Sequence, residues 1–251
     1  MLLAALLTGC AGEGGGLETT GLAAGEVAGS DASGESGRSS TNPLAMPAPV
    51  SAGARQVIEN PTMADVMKTG TLPDMEFGRQ DAPVTIVQYA SLTCPICRKF
   101  HKEVFPQFKR AYIDTGKVRY ILREFPIGKT SGAATIALRC AKPEKYLELY
   151  GKYLDQQPSW VSQEVRLDPI FKVASQVGMT RQQFDACREN QSMIAGLQWV
   201  KDRGRTLGVI GTPNFFVNEK LIKGTLTMEK IREMVEPAIQ ARTTAAAGAP
   251  L

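Results

Sequence analysis

All 17 aromatic residues of this 251-residue chain lie at or beyond Phe77. Aromatic side chains supply much of the area a small core buries, so a packed domain can be assembled only where they occur. Residues 11–55 are low in complexity instead: Gly, Ala, Ser and Pro fill 28 of those 45 positions. Such a stretch buries too little apolar area to offset its ordering entropy, and a flexible linker is expected over 11–58. A short helix over Pro61–Lys68 and a connector should follow within 59–76, before folding proper begins.

Ahead of the linker, residues 1–10 are apolar and end in Leu7-Thr8-Gly9-Cys10. That ending resembles the lipobox of bacterial lipoproteins, where the cysteine is acylated and becomes the mature N-terminus. No Lys or Arg precedes Arg38, and nine residues is short for a signal peptide. Two readings stand: an export leader whose true start lies upstream, with Cys10 as lipid-attachment site, or a chance apolar run ending in a stray cysteine.

Overall composition, 43% hydrophobic and 22% charged, excludes a collagen, a wholly disordered chain and a multi-pass membrane protein. No window approaches the ~18 consecutive apolar residues that a spanning helix needs. The formal charge of +4 is too small to imply a nucleic-acid partner. It is unevenly spread, with a net −6 over residues 1–76 and +10 beyond. The single histidine, His101, removes Ser-His-Asp and Cys-His machinery and any multi-His metal site. The five cysteines are left to carry chemistry.

Pro83–Ala90 is a short β-branched and aromatic run that reads as a buried strand. It leads into Cys94-Pro95-Ile96-Cys97, and Phe100, Val104, Phe108 and Tyr112 then mark one face of a helix that Pro106 should kink. Lys117–Phe125 alternates as a second strand. Ser131 to about Leu207 is helical in pattern, Asn214–Asn218 and Leu221–Lys223 read as a hairpin, and a last helix runs from Met228 to about Arg242. This order describes a small mixed α/β sheet with a helical insertion.

A cysteine at a helix N-terminus has its thiolate stabilised by free N–H groups and the positive end of the helix dipole. Cys94 is thus the candidate attacking thiol, and Cys97, one turn below, the resolving one. Half a zinc site and two core thiols are the alternatives. Zinc needs two more ligands, and no second CxxC exists.

The runs Ala82–Cys97 and Gly208–Asn218, the second containing Gly211-Thr212-Pro213, resemble the DsbA family of thiol:disulfide oxidoreductases over roughly Phe77–Arg242. The resemblance implies a thioredoxin fold interrupted by a helical domain. It implies a cis Pro213 beside the Cys94–Cys97 pair, with the Thr212 backbone offered to a substrate strand. Together with the leader, linker and helical patterns above, it divides the chain into a leader remnant (1–10), linker (11–58), short helix and connector (59–76), first part of the thioredoxin fold (77–130), helical insertion (131–207), second part (208–242) and disordered tail (243–251).

Two positions depart from the family pattern. Ile96 stands where many members carry a histidine that donates to the first thiolate, which opens the question of how low the Cys94 pKa falls. Gln88 stands where relatives often have a buried, proton-moving carboxylate. Cys140 and Cys187 then read as a structural disulfide, or as two buried free thiols. The implied activity is disulfide insertion into unfolded or reduced exported proteins, in the periplasm or at the outer face of the cell membrane. A membrane redox partner recycles the enzyme; the Cys94–Cys97 disulfide serves in place of a cofactor, and no nucleic acid is involved. A reductase or isomerase with the same site is the variant that Ile96 keeps open. A tethered thioredoxin-like module that binds Cu(I) is the rival from another class.

Overall fold

The structure is a computed structural model that describes residues 56–247; Cys10 and most of the 11–58 linker lie outside the described residues. A capping box at Thr62 opens α1 (Met63–Met67), whose Val66 is buried. A strand that the sequence reading assigned to a connector follows, β1 (Met75–Phe77). Three residues are too few for a periodic signal, and β1 exists because β3 (Val118–Glu124) offers it an antiparallel partner.

The centre of the sheet is β2 (Val84–Ala90), buried along its whole length. A strand covered on both faces is expected to read as a near-continuous apolar run, and this one does apart from the buried Thr85 and Gln88. It pairs in parallel with β3 and antiparallel with β4 (Asn214–Val217), which closes a hairpin with β5 (Lys220–Lys223). The strand order is β1-β3-β2-β4-β5. The parallel pair needs a crossover, supplied by α2 (Pro95–Glu103) and α3 (Phe105–Phe108), which pass into a π-helical turn at Lys109–Ile113. The α2–α3 break falls at Val104, two residues before Pro106, where a proline interrupts the helical bonding.

Helices α4 (Gly128–Arg139), α5 (Pro143–Asp155), α6 (Gln157–Trp160), α7 (Leu167–Ala174) and α8 (Arg181–Arg188) form the insertion between β3 and β4, followed by α9 (Gln191–Thr206). The last helix, α10 (Met228–Ala247), continues five residues beyond Arg242 into the segment expected to be a disordered tail. At the other end Ile58 is tied down within the expected linker: its N–H donates to Thr206 O at 2.8 Å.

Alternation along the strands sends side chains to two cores. Ile86, Leu122 and Phe215 face α2, α4 and α5 with Phe100, Leu138 and Tyr146. Val87, Ile121 and Phe216 face α1 and α9 with Val66 and Val200. Arg123 is buried on the second side, held by Asp74 at 2.8 Å, Val66 O at 2.6 Å and Tyr89 OH at 3.0 Å. Full pairing of this kind is what makes a buried guanidinium tolerable. Among the described residues, no helix is long and apolar enough to cross a membrane.

Candidate active site

Cys94 is the N-cap of α2 and Pro95 its first residue, where the missing N–H costs no bond. The Cys97 N–H donates to Cys94 Sγ at 3.3 Å. Cys97 is wholly buried and Cys94 partly exposed, and both carry free thiols. The Cys94 thiol donates to Thr212 O at 3.1 Å, across from the cis Thr212–Pro213 peptide. Cys94, Cys97, Thr212 and Pro213 therefore share one corner, at the C-terminal end of β2 and the entry to β4.

The two thiols differ in acidity. The Cys94 pKa is lowered from 9.0 to about 5, chiefly by a hydrogen bond from the Cys97 thiol. Partial burial opposes this, while the Thr212 side chain and the N–H groups of Cys97 and Ile96 add to it. Burial pushes Cys97 well above 9.0, and the neighbouring Cys94 pushes the same way. No basic side chain is among these causes. Lys99, Lys102 and Lys109 instead meet Glu103, Asp155 and Asp114 in exposed pairs.

Ile96 points outward, 45% exposed. Two further exposed apolar residues stand near it in the fold. Ile127 is tied to the turn before Cys94, its N–H donating to Ser91 Oγ and its carbonyl accepting from Thr93 Oγ1, both at 3.3 Å. Ile210, 81% exposed, lies two residues before Thr212. Phe125, Ile127, Val209 and Ile210 line a shallow groove with Lys201 and Arg205. Neither Ile127 nor Ile210 was singled out in the sequence, since one exposed isoleucine has no periodic signature.

Gln88 is buried on β2, where its Oε1 accepts from Tyr120 OH. It is held within the sheet core and bonds to neither cysteine. His101 packs between aromatic rings, stacked on Phe105 and edge-on to Tyr150. Phe100, Phe108, Phe215 and Phe216 are core residues. Cys140 and Cys187 are joined by a disulfide between the ends of α4 and α8. Among the described residues, no three His, Cys, Asp or Glu side chains converge as metal ligands would.

A family model described as thioredoxin matches residues 71–237. A Rickettsia conorii protein named for protein-disulfide oxidoreductase activity is 30% identical over 198 residues, covering 76% of this chain and 70% of its own. Disulfide bond formation protein D of Bacillus subtilis is 24% identical over 172 residues, 66% of this chain and 77% of that protein. The crystal structure of Wolbachia pipientis alpha-DsbA1 superposes with a TM-score of 0.66 and 25% identity, covering 73% of this chain and 99% of that one.

Proposed function

We propose, from the premise that this chain belongs to the DsbA-like family of thioredoxin-fold thiol:disulfide oxidoreductases, that it works as a dithiol oxidase on exported proteins. The observation that carries this reading is the unequal placement of the two free thiols, Cys94 partly exposed at the N-cap of α2 with its sulfur accepting Cys97 N–H at 3.3 Å, and Cys97 wholly buried. A thiolate held at a pKa of about 5 stabilises the reduced enzyme, and a stabilised reduced form makes the disulfide a stronger oxidant. Ile96 removes one possible donor to that thiolate, while Cys97 and the backbone N–H groups supply others.

The reaction begins with Cys94–Cys97 as a disulfide. A substrate thiolate attacks the Cys94 sulfur, a new S–S bond forms, and Cys97 leaves as thiolate. Its high pKa makes it take up a proton. A second substrate thiolate then attacks the substrate sulfur of the mixed disulfide, and Cys94 leaves as a stable thiolate. The substrate loses two electrons and the enzyme gains them, so the Cys94–Cys97 disulfide is the only redox group required. A membrane partner that accepts two electrons restores it.

Ile96, Ile127 and Ile210 suit an unfolded chain, which presents apolar side chains beside its cysteines. The Thr212 backbone, beside the cis peptide bond, is the edge to which such a chain would pair. The site would act in the periplasm or at the outer face of the cell membrane, with Cys10 as lipid anchor; the mass of the N-terminal peptide from membranes tests the anchor.

Oxidised protein mixed with one equivalent of a dithiol peptide tests the reaction. The peptide should lose two hydrogens as both enzyme cysteines become alkylatable. A preference for reducing the peptide disulfide would overturn the oxidase in favour of a reductase. Tight Cu(I) binding by the reduced pair, with no peptide turnover, would instead make the module a metal carrier.

A further inference from the structure

The turn that presents Cys94 has carbonyl groups that must find partners. Cys94 N–H donates to Ser91 O at 3.1 Å, and Cys94 O accepts the first helical bond, from Arg98 N–H, also at 3.1 Å. Leu92 O and Cys94 O both accept from one further group, the Gln157 amide Nε2, at 2.7 and 3.1 Å. A carboxamide nitrogen carries two hydrogens, and two carbonyls receive them here.

Gln157 sits 63 residues beyond Cys94, at the start of α6 in the helical insertion. It is only 6% exposed. Its carbonyl accepts Val161 N–H at 2.9 Å, and beneath it the buried Trp160 indole donates to Tyr153 O at 2.8 Å. The amide therefore stands on a rigid base. The upstream end of the same turn is held by α4, where Ser131 Oγ meets Ser91 Oγ at 2.9 Å.

We infer that Gln157 is a positioning residue for the redox turn, clamping Leu92 and Cys94 to the helical insertion so that the Cys97 N–H stays aimed at the Cys94 sulfur. The inference deepens the reading of Cys94 as the attacking thiol and rests on it. Without the amide, the buried Leu92 carbonyl loses its donor and the Cys94 carbonyl keeps only Arg98 N–H, and the turn recovers hydrogen bonds by tilting. Hydrogen bonds weaken steeply with angle, so a small tilt loosens the Cys97 N–H from the thiolate. The insertion thereby sets the reactivity of a thiol it does not contain.

The test is the pH profile of Cys94 alkylation in the reduced full chain carrying Gln157→Met, which keeps the length and removes both donors. The midpoint should rise by about one pH unit. The equilibrium with glutathione should move about tenfold toward the enzyme disulfide, ~30 mV more reducing. Val173→Ala, a truncation in the core of the insertion, should lower thermal stability and leave the Cys94 midpoint in place. Should Gln157→Met not fold, Gln157→Asn, too short to reach both carbonyls, should shift the midpoint in the same direction. An unmoved midpoint in whichever Gln157 variant folds, or an equal shift in Val173→Ala, overturns the inference. The Cys94 reading itself fails separately, by dithiol oxidation surviving in Cys94→Ser.

Discussion

The molecule holds two pairs of cysteines whose surroundings set opposite chemistry. Cys94 and Cys97 are free, three residues apart, at the first turn of a helix where one sulfur is half-exposed and receives N–H groups. Cys140 and Cys187 are bridged, 47 residues apart, between the ends of two helices of the insertion. In the first pair the environment stabilises a thiolate. In the second the bond joins α4 to α8 and restrains a long loop of the unfolded chain. The difference lies in the location of the sulfurs: a helix N-terminus at the end of a buried strand favours charge on one of them.

Removing sulfurs from each pair in turn should separate the two roles most sharply. Cys94→Ser should bring dithiol oxidation to the uncatalysed rate with the protein still folded, and Cys97→Ser should accumulate a mixed disulfide with a cysteine peptide, visible by mass. Activity left in Cys94→Ser would erase the contrast. The double variant Cys140→Ser/Cys187→Ser should instead lose up to ~4 kcal/mol of stability on the loop-entropy model, read by urea unfolding of the oxidised protein. At 25 °C its dithiol oxidation should persist while it remains folded.

The pH dependence of stability sharpens the same contrast. Folded Cys94 titrates at about 5 against 9.0 as its ordinary value. Between those values the unfolded chain binds more protons, so the stability of the reduced protein rises with pH across the window. The gain is complete above pH 9 and disappears as pH falls through 5. Oxidised protein has no such thiol, so the Tm difference, reduced minus oxidised, should grow from pH 5 to pH 8. A flat difference would mean that Cys94 is an ordinary thiol. The smallest expected effect is that of Ile96→His, which adds one donor near the Cys94 thiolate. It should make the pair more oxidising by about tenfold in equilibrium constant, ~30 mV, measured against glutathione.

The sequence made the central strand, the parallel partner strand, the hairpin and the redox turn legible because each is local. A β-branched run, an alternation and a CxxC before a helix need no knowledge of distant contacts. What escaped notice was non-local. Strand β1 forms only because β3 is there to pair with it. The Arg123–Asp74 ion pair joins residues 49 apart. Gln157 reaches the redox turn across 63 residues and looks in sequence like any polar residue beside a proline. The direction of the Cys94 shift was legible from its place at a helix N-terminus, but its size with Ile96 where histidine is common was not, because the largest cause is the buried Cys97 thiol rather than a side chain of the turn's surface.

The reduction potential of the Cys94–Cys97 pair, equilibrated with a glutathione buffer and read by alkylation and mass, tests the dithiol-oxidase assignment most directly. The account predicts a value less negative than about −200 mV, on the oxidising side of the glutathione pool. A value near that of thioredoxin, about −270 mV, would contradict it and make the protein a reductase.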